Sequence, residues 1–314
     1  MNKTAFIFPG QGAQYVGMGK DFYDNFEIAR ETFNIASNAL NMDMEKLCFE
    51  GPKEKLMLTE NTQPAILTVS TAILNVLKKE FDLNCDITAG LSLGEYTALV
   101  NSGRIDFEDA VKIVKNRGRY MQNAVPEGKG KMAALIGGNR IDIERLCYDH
   151  KKYGIIQPSN YNCPGQIVIG GEIIPVEKAM ENIANYNIKR AIELPVSAPF
   201  HTEMLKPAAQ NLSKDLERVN IRTGKFPVVS NVTGETYEKD AEIKNYLLKQ
   251  VYSSVLWEDS VDTMIKEGVD TFIEIGPGKS LSGFIKKIDR SLNILNVQDM
   301  KSLNKSFVKL GVAS

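Results

Sequence analysis

The stretch from residue 86 to 100 constrains this chain most, because it carries Gly-x-Ser-x-Gly between strand-forming residues and a helix-like run. Strand, tight turn and helix are the context of a nucleophile elbow. Gly90 and Gly94 suit such a turn, since residues without a β-carbon allow close packing and unusual backbone angles. The helix after Ser92 would direct its N–H groups at the serine and could end at Gly103. The pattern also arises by chance, so it needs support from the rest of the chain.

The composition is that of an ordinary globular protein. Of 314 residues, 43% are hydrophobic and 25% are charged, and the formal charge of -1 gives no reason to expect nucleic-acid binding. The N-terminal apolar run is too short for a signal peptide, and no stretch approaches a membrane span. The four cysteines lack metal-like spacing. We therefore expect a cytoplasmic protein with reduced thiols and no membrane contact.

The order of predicted elements indicates an α/β fold. Strands alternate with helices in both outer segments, which predicts a hydrolase-like domain with a mainly parallel sheet covered by helices. Between them the predicted order is β-α-β-β-α-β, typical of a ferredoxin-like subdomain. We expect a discontinuous catalytic domain of residues 1–127 and 197–314, with the ferredoxin-like subdomain inserted at 128–196.

Apolar periodicity predicts further elements. Helices are expected over residues 20–40, 65–81 and 174–186, and a strand over residues 226–231. His150 ends a predicted helix among charged neighbours, so we interpret it as a solvated surface histidine rather than a catalytic one.

A glycine-rich loop follows the first predicted strand, at residues 9–14. It is not a dinucleotide-binding fingerprint, because Tyr15 stands where a third glycine would be needed. The loop is either a backbone segment that approaches a ligand closely or a plain strand-to-helix turn.

A serine nucleophile needs an adjacent base, and the chain has only two histidines. His201 is the better candidate, because it lies in a tight proline-containing segment C-terminal to Ser92, as in hydrolases. No acidic residue between them is an obvious third member of a triad. A backbone carbonyl could orient the imidazole instead. The alternative is that His201 is a capping or core residue.

An oxyanion hole needs two preorganised donors, and the N–H of Leu93 and the loop at residues 10–11 are placed to supply them. A buried arginine would select an acyl group that bears a carboxylate, since it stays charged when desolvated. Arg117 and Arg119 are the candidates. Their spacing puts them on different faces of a helix, so only one can face Ser92, and both could instead be solvated.

Several motifs occur together and in a fixed order: Phe8-Pro-Gly-Gln-Gly-Ala-Gln14, Gly90-Leu-Ser-Leu-Gly-Glu-Tyr96, Arg117-Gly118, Met121-Gln122, Asn162-Cys-Pro-Gly-Gln166, Ala198-Pro-Phe-His201, Ser230-Asn-Val-Thr-Gly234, Gln250 and Ile275-Gly-Pro-Gly278. In this combination the chain resembles the malonyl-CoA:acyl carrier protein transacylases, an acyltransferase family of fatty-acid and polyketide synthesis. The resemblance covers most of the chain.

The resemblance implies that malonyl passes from malonyl-CoA to the phosphopantetheine thiol of acyl carrier protein through a malonyl-serine intermediate, supplying fatty-acid biosynthesis. It also implies a role for each site residue: nucleophile Ser92, base His201, oxyanion N–H donors Gln11 and Leu93, carboxylate partner Arg117, and the main chain of Gln250 holding His201. No metal or cofactor is implied, since malonyl-CoA is a substrate. The expected partner is acyl carrier protein, and we expect a monomer.

The chain departs from the family at Leu91, where the family usually has a histidine that is not the base. This puts local packing and acyl preference near the serine in question, whereas the bulky Phe200 favours malonyl over a branched acyl group. The alternatives are a serine esterase or thioesterase, a trans-acting polyketide acyltransferase, and a non-catalytic carrier-docking module. Carrier proteins are typically acidic, so a docking face could form at either of two basic groups: Lys279, Lys286 and Lys287, or Lys189 and Arg190.

Overall fold

The computed structural model describes residues 3–196 and 198–310. The strands are β1 (Lys3–Phe8), β2 (Ile87–Gly90), β3 (Gly130–Gly137), β4 (Ile156–Cys163), β5 (Gln166–Glu172), β6 (Ile188–Glu193), β7 (Val255–Leu256), β8 (Val269–Ile275) and β9 (Asn293–Val297). The helices are α1 (Lys20–Asn25), α2 (Glu27–Leu40), α3 (Met44–Phe49), α4 (Lys53–Met57), α5 (Thr59–Phe81), α6 (Leu93–Asn101), α7 (Phe107–Asn123), α8 (Arg140–His150), α9 (Ile173–Glu181), α10 (Lys206–Glu217), α11 (Ile243–Tyr252), α12 (Trp257–Lys266), α13 (Ser280–Ile288) and α14 (Met300–Leu310). None of the helices in the described ranges has both the length and the hydrophobicity that a bilayer crossing needs.

Strand β1 lies at the centre of a parallel four-stranded sheet with the order β2-β1-β8-β9. Alternate residues of a strand point to opposite faces, and both faces of this sheet are covered. Phe6 and Phe8 join a buried cluster with α2, α5 and α7. Ala5 and Ile7 join a second cluster with α12 and α13. This arrangement confirms the predicted α/β class with a helix-covered parallel sheet.

The segment between the outer parts forms an antiparallel sheet with the order β6-β3-β5-β4, as in a ferredoxin-like fold. Helices α8 and α9 share a buried cluster with one face of this sheet. Strand β7, from the C-terminal segment, pairs in parallel with β4 and so joins the two parts by hydrogen bonds. The exact domain boundaries stay a prediction, and the boundary residue 197 lies outside the described residues.

The single helix predicted over residues 20–40 is wrong, because α1 and α2 are separated at Phe26. This residue has an extended backbone, with φ −128° and ψ 128°. Its ring packs against those of Phe22 and Phe81, so it serves the core although it interrupts the helix. Periodicity missed the break, since the apolar residues on both sides keep helical spacing.

The strand predicted over residues 226–231 is also wrong. Val228 forms only an isolated bridge with Thr88 of β2. Pro227 precedes it, and because proline has no N–H, the ladder cannot be extended through this residue.

Other differences concern lengths. Helix α5 begins at Thr59 rather than 65 and includes Pro64. The helix predicted over residues 174–186 is α9 followed by a short 3-10 helix, Ile183–Tyr186. The sequence patterns did not indicate α3, α4, β7, β9 or α14.

The interpretation of His150 as a solvated residue is wrong. The side chain is buried, with Nδ1 2.8 Å from the main-chain oxygen of Leu146 and Nε2 3.4 Å from Nδ2 of Asn182. The rings of Tyr153 and Tyr186 pack around it. Its helix position suggested exposure, but the 3-10 helix after α9 covers it.

Candidate active site

Ser92 occupies the sharp turn between β2 and α6. Its backbone angles, φ 54° and ψ −102°, are unusual for a residue with a side chain. A β-carbon at Gly90 would lie 2.0 Å from the main-chain carbon of Gly94, and one at Gly94 would lie 2.1 Å from the Phe8 oxygen. Both positions therefore exclude any larger residue. The serine is consequently presented at the carboxyl end of the parallel sheet.

His201 lies beside the serine, with its Nε2 2.8 Å from Oγ of Ser92. Its Nδ1 lies 2.7 Å from the main-chain oxygen of Gln250 on α11. Because a carbonyl oxygen only accepts hydrogen bonds, Nδ1 carries the proton and the Nε2 lone pair faces the serine hydroxyl. The structure thus places a carbonyl where a triad would have an acid.

The pKa of His201 is lowered to about 3. Burial is the main cause, the positive charge of Arg117 adds to it, and the hydrogen bond to the Gln250 carbonyl opposes it. The imidazole is therefore neutral near pH 7 and able to accept a proton.

Arg117, on α7, is only 1% exposed and points at the serine. Its Nη2 donates to Ser92 Oγ at 3.1 Å and to Oε1 of Gln250 at 2.9 Å, and its Nη1 donates to Oε1 of Gln63 at 2.8 Å. These acceptors are all neutral. Arg119 is exposed on another face of α7, as the spacing predicts. None of the three hydrogen bonds of Arg117 pairs its guanidinium with a carboxylate.

Gln11 and Leu93 line the same cleft as Ser92. A β-carbon at Gly10 would lie 2.4 Å from the main-chain oxygen of Leu91, so the glycine loop packs directly against the elbow. Leu93 is the first residue of α6, where backbone N–H groups have no partner within the helix. Both residues predicted to form the oxyanion hole thus lie in the cleft with Ser92, and their role as N–H donors stays a prediction.

The acyl transferase domain family model matches residues 5–304 of the chain. The chain belongs to the acyl transferase family. The malonyl CoA-acyl carrier protein transacylase of Bacillus subtilis (strain 168) is 46% identical to this acyl transferase over 304 residues, which are 96% of each protein.

Solved structures are also similar to this acyl transferase. The malonyl CoA-acyl carrier protein transacylase of Clostridium perfringens ATCC 13124 is 51% identical, with a TM-score of 0.96 over 98% of this chain and 97% of that one. A malonyl-transacylase in complex with its type II PKS acyl-carrier protein is 40% identical, with a TM-score of 0.95 over 98% of this chain and 100% of that one.

The site of the acyl transferase opens into a cleft of about 1100 Å³ between the parallel-sheet part and the ferredoxin-like part. Apolar residues from both parts line it: Leu91, Met132, Val168, Leu194, Phe200 and Phe284. Leu91 keeps the elbow backbone in place, because its N–H donates to the Phe8 oxygen at 3.1 Å. Its side chain packs beside the cluster around α12 and α13. Leu91 thus contributes an apolar surface to the cleft.

Sequence reasoning missed the polar residues behind the nucleophile. Oδ1 of Asn231 accepts the Ser92 N–H at 2.6 Å, and its Nδ2 donates to the Gly90 oxygen at 2.8 Å. Glu95 is completely buried beneath them. The Ser-Asn-Val-Thr-Gly motif was a signal for Asn231, but only the folded chain shows its contact with the elbow.

Proposed function

We propose that this acyl transferase is an acyl-carrier-protein S-malonyltransferase that moves malonyl from malonyl-CoA to the phosphopantetheine thiol of acyl carrier protein, supplying fatty-acid biosynthesis. The observation that carries the proposal is that Ser92 Oγ lies within hydrogen-bond distance of both His201 Nε2 and Arg117 Nη2. A nucleophile beside a base and a buried cation suits an acyl group with its own carboxylate. The similar proteins named as malonyl transacylases support the same substrate.

The first half-reaction forms the malonyl ester. His201 takes the proton of Ser92, and the serine oxygen attacks the thioester carbonyl while the N–H groups of Gln11 and Leu93 stabilise the oxyanion. The carbon–sulfur bond then breaks, and the leaving thiolate of coenzyme A takes the proton back from the imidazolium.

The second half-reaction reverses these roles. The phosphopantetheine thiol of the carrier protein gives its proton to His201, and its sulfur attacks the malonyl ester. The carbon–oxygen bond breaks, and Ser92 recovers the proton. Side chains and backbone groups supply every proton transfer and charge contact, so the reaction as proposed uses no cofactor.

Mass spectrometry of the intact protein tests the covalent intermediate. The protein is incubated separately with malonyl-, methylmalonyl- and acetyl-CoA. We expect malonyl-CoA to give a malonyl adduct that acyl carrier protein removes, and we expect no adduct on Ser92→Ala. A wild-type protein that acquires no adduct would contradict the proposal and favour a carrier-docking module. An adduct that water removes faster than the carrier does would favour a thioesterase.

The role of Arg117 can be tested with Arg119→Ala as the matched control. Arg117→Ala should lower kcat/KM for malonyl-CoA about 100-fold and shift preference toward acetyl-CoA, because the charged contact to the carboxylate is lost. The control should retain wild-type values, since Arg119 is exposed and outside the cleft lining. Unchanged malonyl transfer in Arg117→Ala would mean that another group binds the carboxylate.

A polyketide carrier is the second candidate partner, favoured by the similar malonyl-transacylase that was solved with a type II PKS acyl-carrier protein. Transfer rates to a fatty-acid carrier and to a polyketide carrier, measured side by side, distinguish the two. The cytoplasmic location and the monomeric state stay predictions.

A further inference from the structure

Glu95 is a buried carboxylate in the first turn of α6, directly behind the elbow. It accepts hydrogen bonds from the Tyr237 hydroxyl, from Nε2 of Gln250 and from the Asn231 N–H at 3.3 Å. The helix N-terminus explains a carboxylate at this position but not its complete burial. Burying an ionised group is unfavourable unless its neighbours compensate it, so these contacts point to a role for the charge.

Glu95 is the charged member of the three contacts that set how the Gln250 side chain is turned. Nε2 of Gln250 donates to Glu95 and, at 2.9 Å, to the main-chain oxygen of Ser92. An ionised carboxylate only accepts hydrogen bonds, so the NH₂ group must face it. The Oε1 atom is therefore directed at Arg117, whose Nη2 donates to it at 2.9 Å.

Arg117 depends on this orientation. Among the described residues, the acceptors that it contacts are the neutral side chains of Gln63, Ser92 and Gln250. The negative charge of Glu95 helps keep the guanidinium protonated against its burial. If the Gln250 amide rotated, its NH₂ group would face the guanidinium, and one of these contacts would become repulsive.

We propose that Glu95 is a positioning residue for carboxylate selectivity: as the charged acceptor of the Gln250 amide, it helps hold Arg117 beside Ser92 in the orientation that receives the acyl group's carboxylate. This inference rests on the proposed function and deepens it.

Protonation of Glu95 should weaken the positioning of Arg117 and therefore the selectivity for a carboxylate-bearing acyl group. The titratable groups that act on it are Tyr237, Tyr96 on its own helix, and Arg117 on α7. Burial raises the pKa of Glu95 to about 7, although the hydrogen bonds and the charge of Arg117 oppose the shift. A protonated carboxyl can donate as well as accept, so the Gln250 amide then loses its charged acceptor and is held in this orientation only by the Ser92 oxygen and the Arg117 guanidinium.

The variant Glu95→Gln tests the proposal, with Glu274→Gln as the matched control. Glu274 is also a buried carboxylate, but it accepts hydrogen bonds from the first turn of α13 instead. Single-turnover acylation of Ser92 by malonyl-CoA and by acetyl-CoA gives a selectivity ratio that overall destabilisation would not change. We expect Glu95→Gln to lower this ratio about tenfold, because a hydrogen bond to a charged group is lost. The control variant should retain the wild-type ratio.

Equal losses with both acyl groups in Glu95→Gln would overturn the inference, because they would indicate only structural support of the elbow. If the variant does not fold, the pH dependence of the selectivity ratio in the wild type tests the proposal instead. The malonyl-to-acetyl ratio should fall between about pH 8 and about pH 6, and a flat profile would overturn the inference. In the free enzyme His201 does not titrate in this range, since its pKa there is about 3. A wild type that takes no malonyl would instead refute the proposed function.

Discussion

The hydroxyl of Ser92 meets a base and a cation at the same time, and the two partners influence each other. Burial and, after it, the charge of Arg117 lower the pKa of His201, so the free enzyme has a weak base beside its nucleophile. A carboxylate bound at Arg117 would offset that charge and strengthen the base. An acyl group without a carboxylate would leave the base weak, so we expect selectivity to act on the chemical step as well as on binding.

The lowered pKa of His201 predicts a specific pH dependence of stability. Its pKa in the folded state, about 3, lies below the ordinary value of 6.5, so the unfolded chain binds the proton more tightly. The free energy of unfolding should therefore fall as the pH drops from about 6.5 toward 3, by at most about 1.4 kcal/mol per pH unit.

Urea unfolding of the wild type and of His201→Gln at several pH values checks this expectation. The difference between the two proteins is the informative quantity, because the raised pKa of Glu95 has the opposite effect in both. A difference that does not change with pH would show that the imidazole is not buried in its neutral form.

At the level of elements, the elbow depends on the close approach of β1, β2 and α6. The two glycines permit that approach, since any β-carbon there would overlap backbone atoms. Backbone atoms cannot rotate away as a flexible side chain can, so relief requires movement of the strand or the helix.

Gly90→Ala should accordingly destabilise the protein by about 3 kcal/mol and abolish acylation of Ser92. Gly283→Ala is the matched control, because a β-carbon at this position in α13 would meet nothing within 4 Å. The control should be neutral or stabilising by up to about 1 kcal/mol, since alanine favours helices. Thermal unfolding and intact-mass labelling measure both effects, and a stable, active Gly90→Ala would disprove the steric argument.

In the whole molecule, the cleft exists because the ferredoxin-like part is attached firmly to the parallel-sheet part. The β4–β7 pairing provides one attachment. Arg140 on α8 provides another, with two hydrogen bonds to Asp259 on α12 at 2.9 and 3.0 Å. Nζ of Lys287 also reaches Oε1 of Gln166 at 3.0 Å. One of the basic residues proposed for docking thus already links the two parts.

Lys286 is the better residue for a docking test, because it is exposed on α13. Lys286→Glu should raise the KM for acyl carrier protein several-fold, because one charge at the rim of the interface is reversed. The KM for malonyl-CoA should change little. Lys214→Glu, an exposed charge reversal on α10, is the matched control. Steady-state kinetics with each substrate varied in turn separates the effects, and equal changes for both substrates would exclude docking at Lys286.

Local features of this protein follow from the sequence by itself. The elbow is one, because Gly90, Ser92 and Gly94 lie within five residues and the close contact of Gly90 with Gly94 is local. The helix-covered sheet and the inserted ferredoxin-like part follow from element order. His201 follows from the scarcity of histidine, whereas the residues alone left Arg117 and Arg119 as alternatives.

Only the tertiary structure decided which side chains are buried and what they contact. It placed Arg117 at the serine, enclosed His150, and assembled Glu95 and Gln250 behind the elbow, although these two residues are 155 positions apart. The physical reason is that burial and hydrogen-bond partners depend on contacts between distant segments, whereas the steric limit at Gly90 comes from Gly94 and Glu95 in the same turn. Glu95 therefore looked like an ordinary first-turn carboxylate until the fold surrounded it.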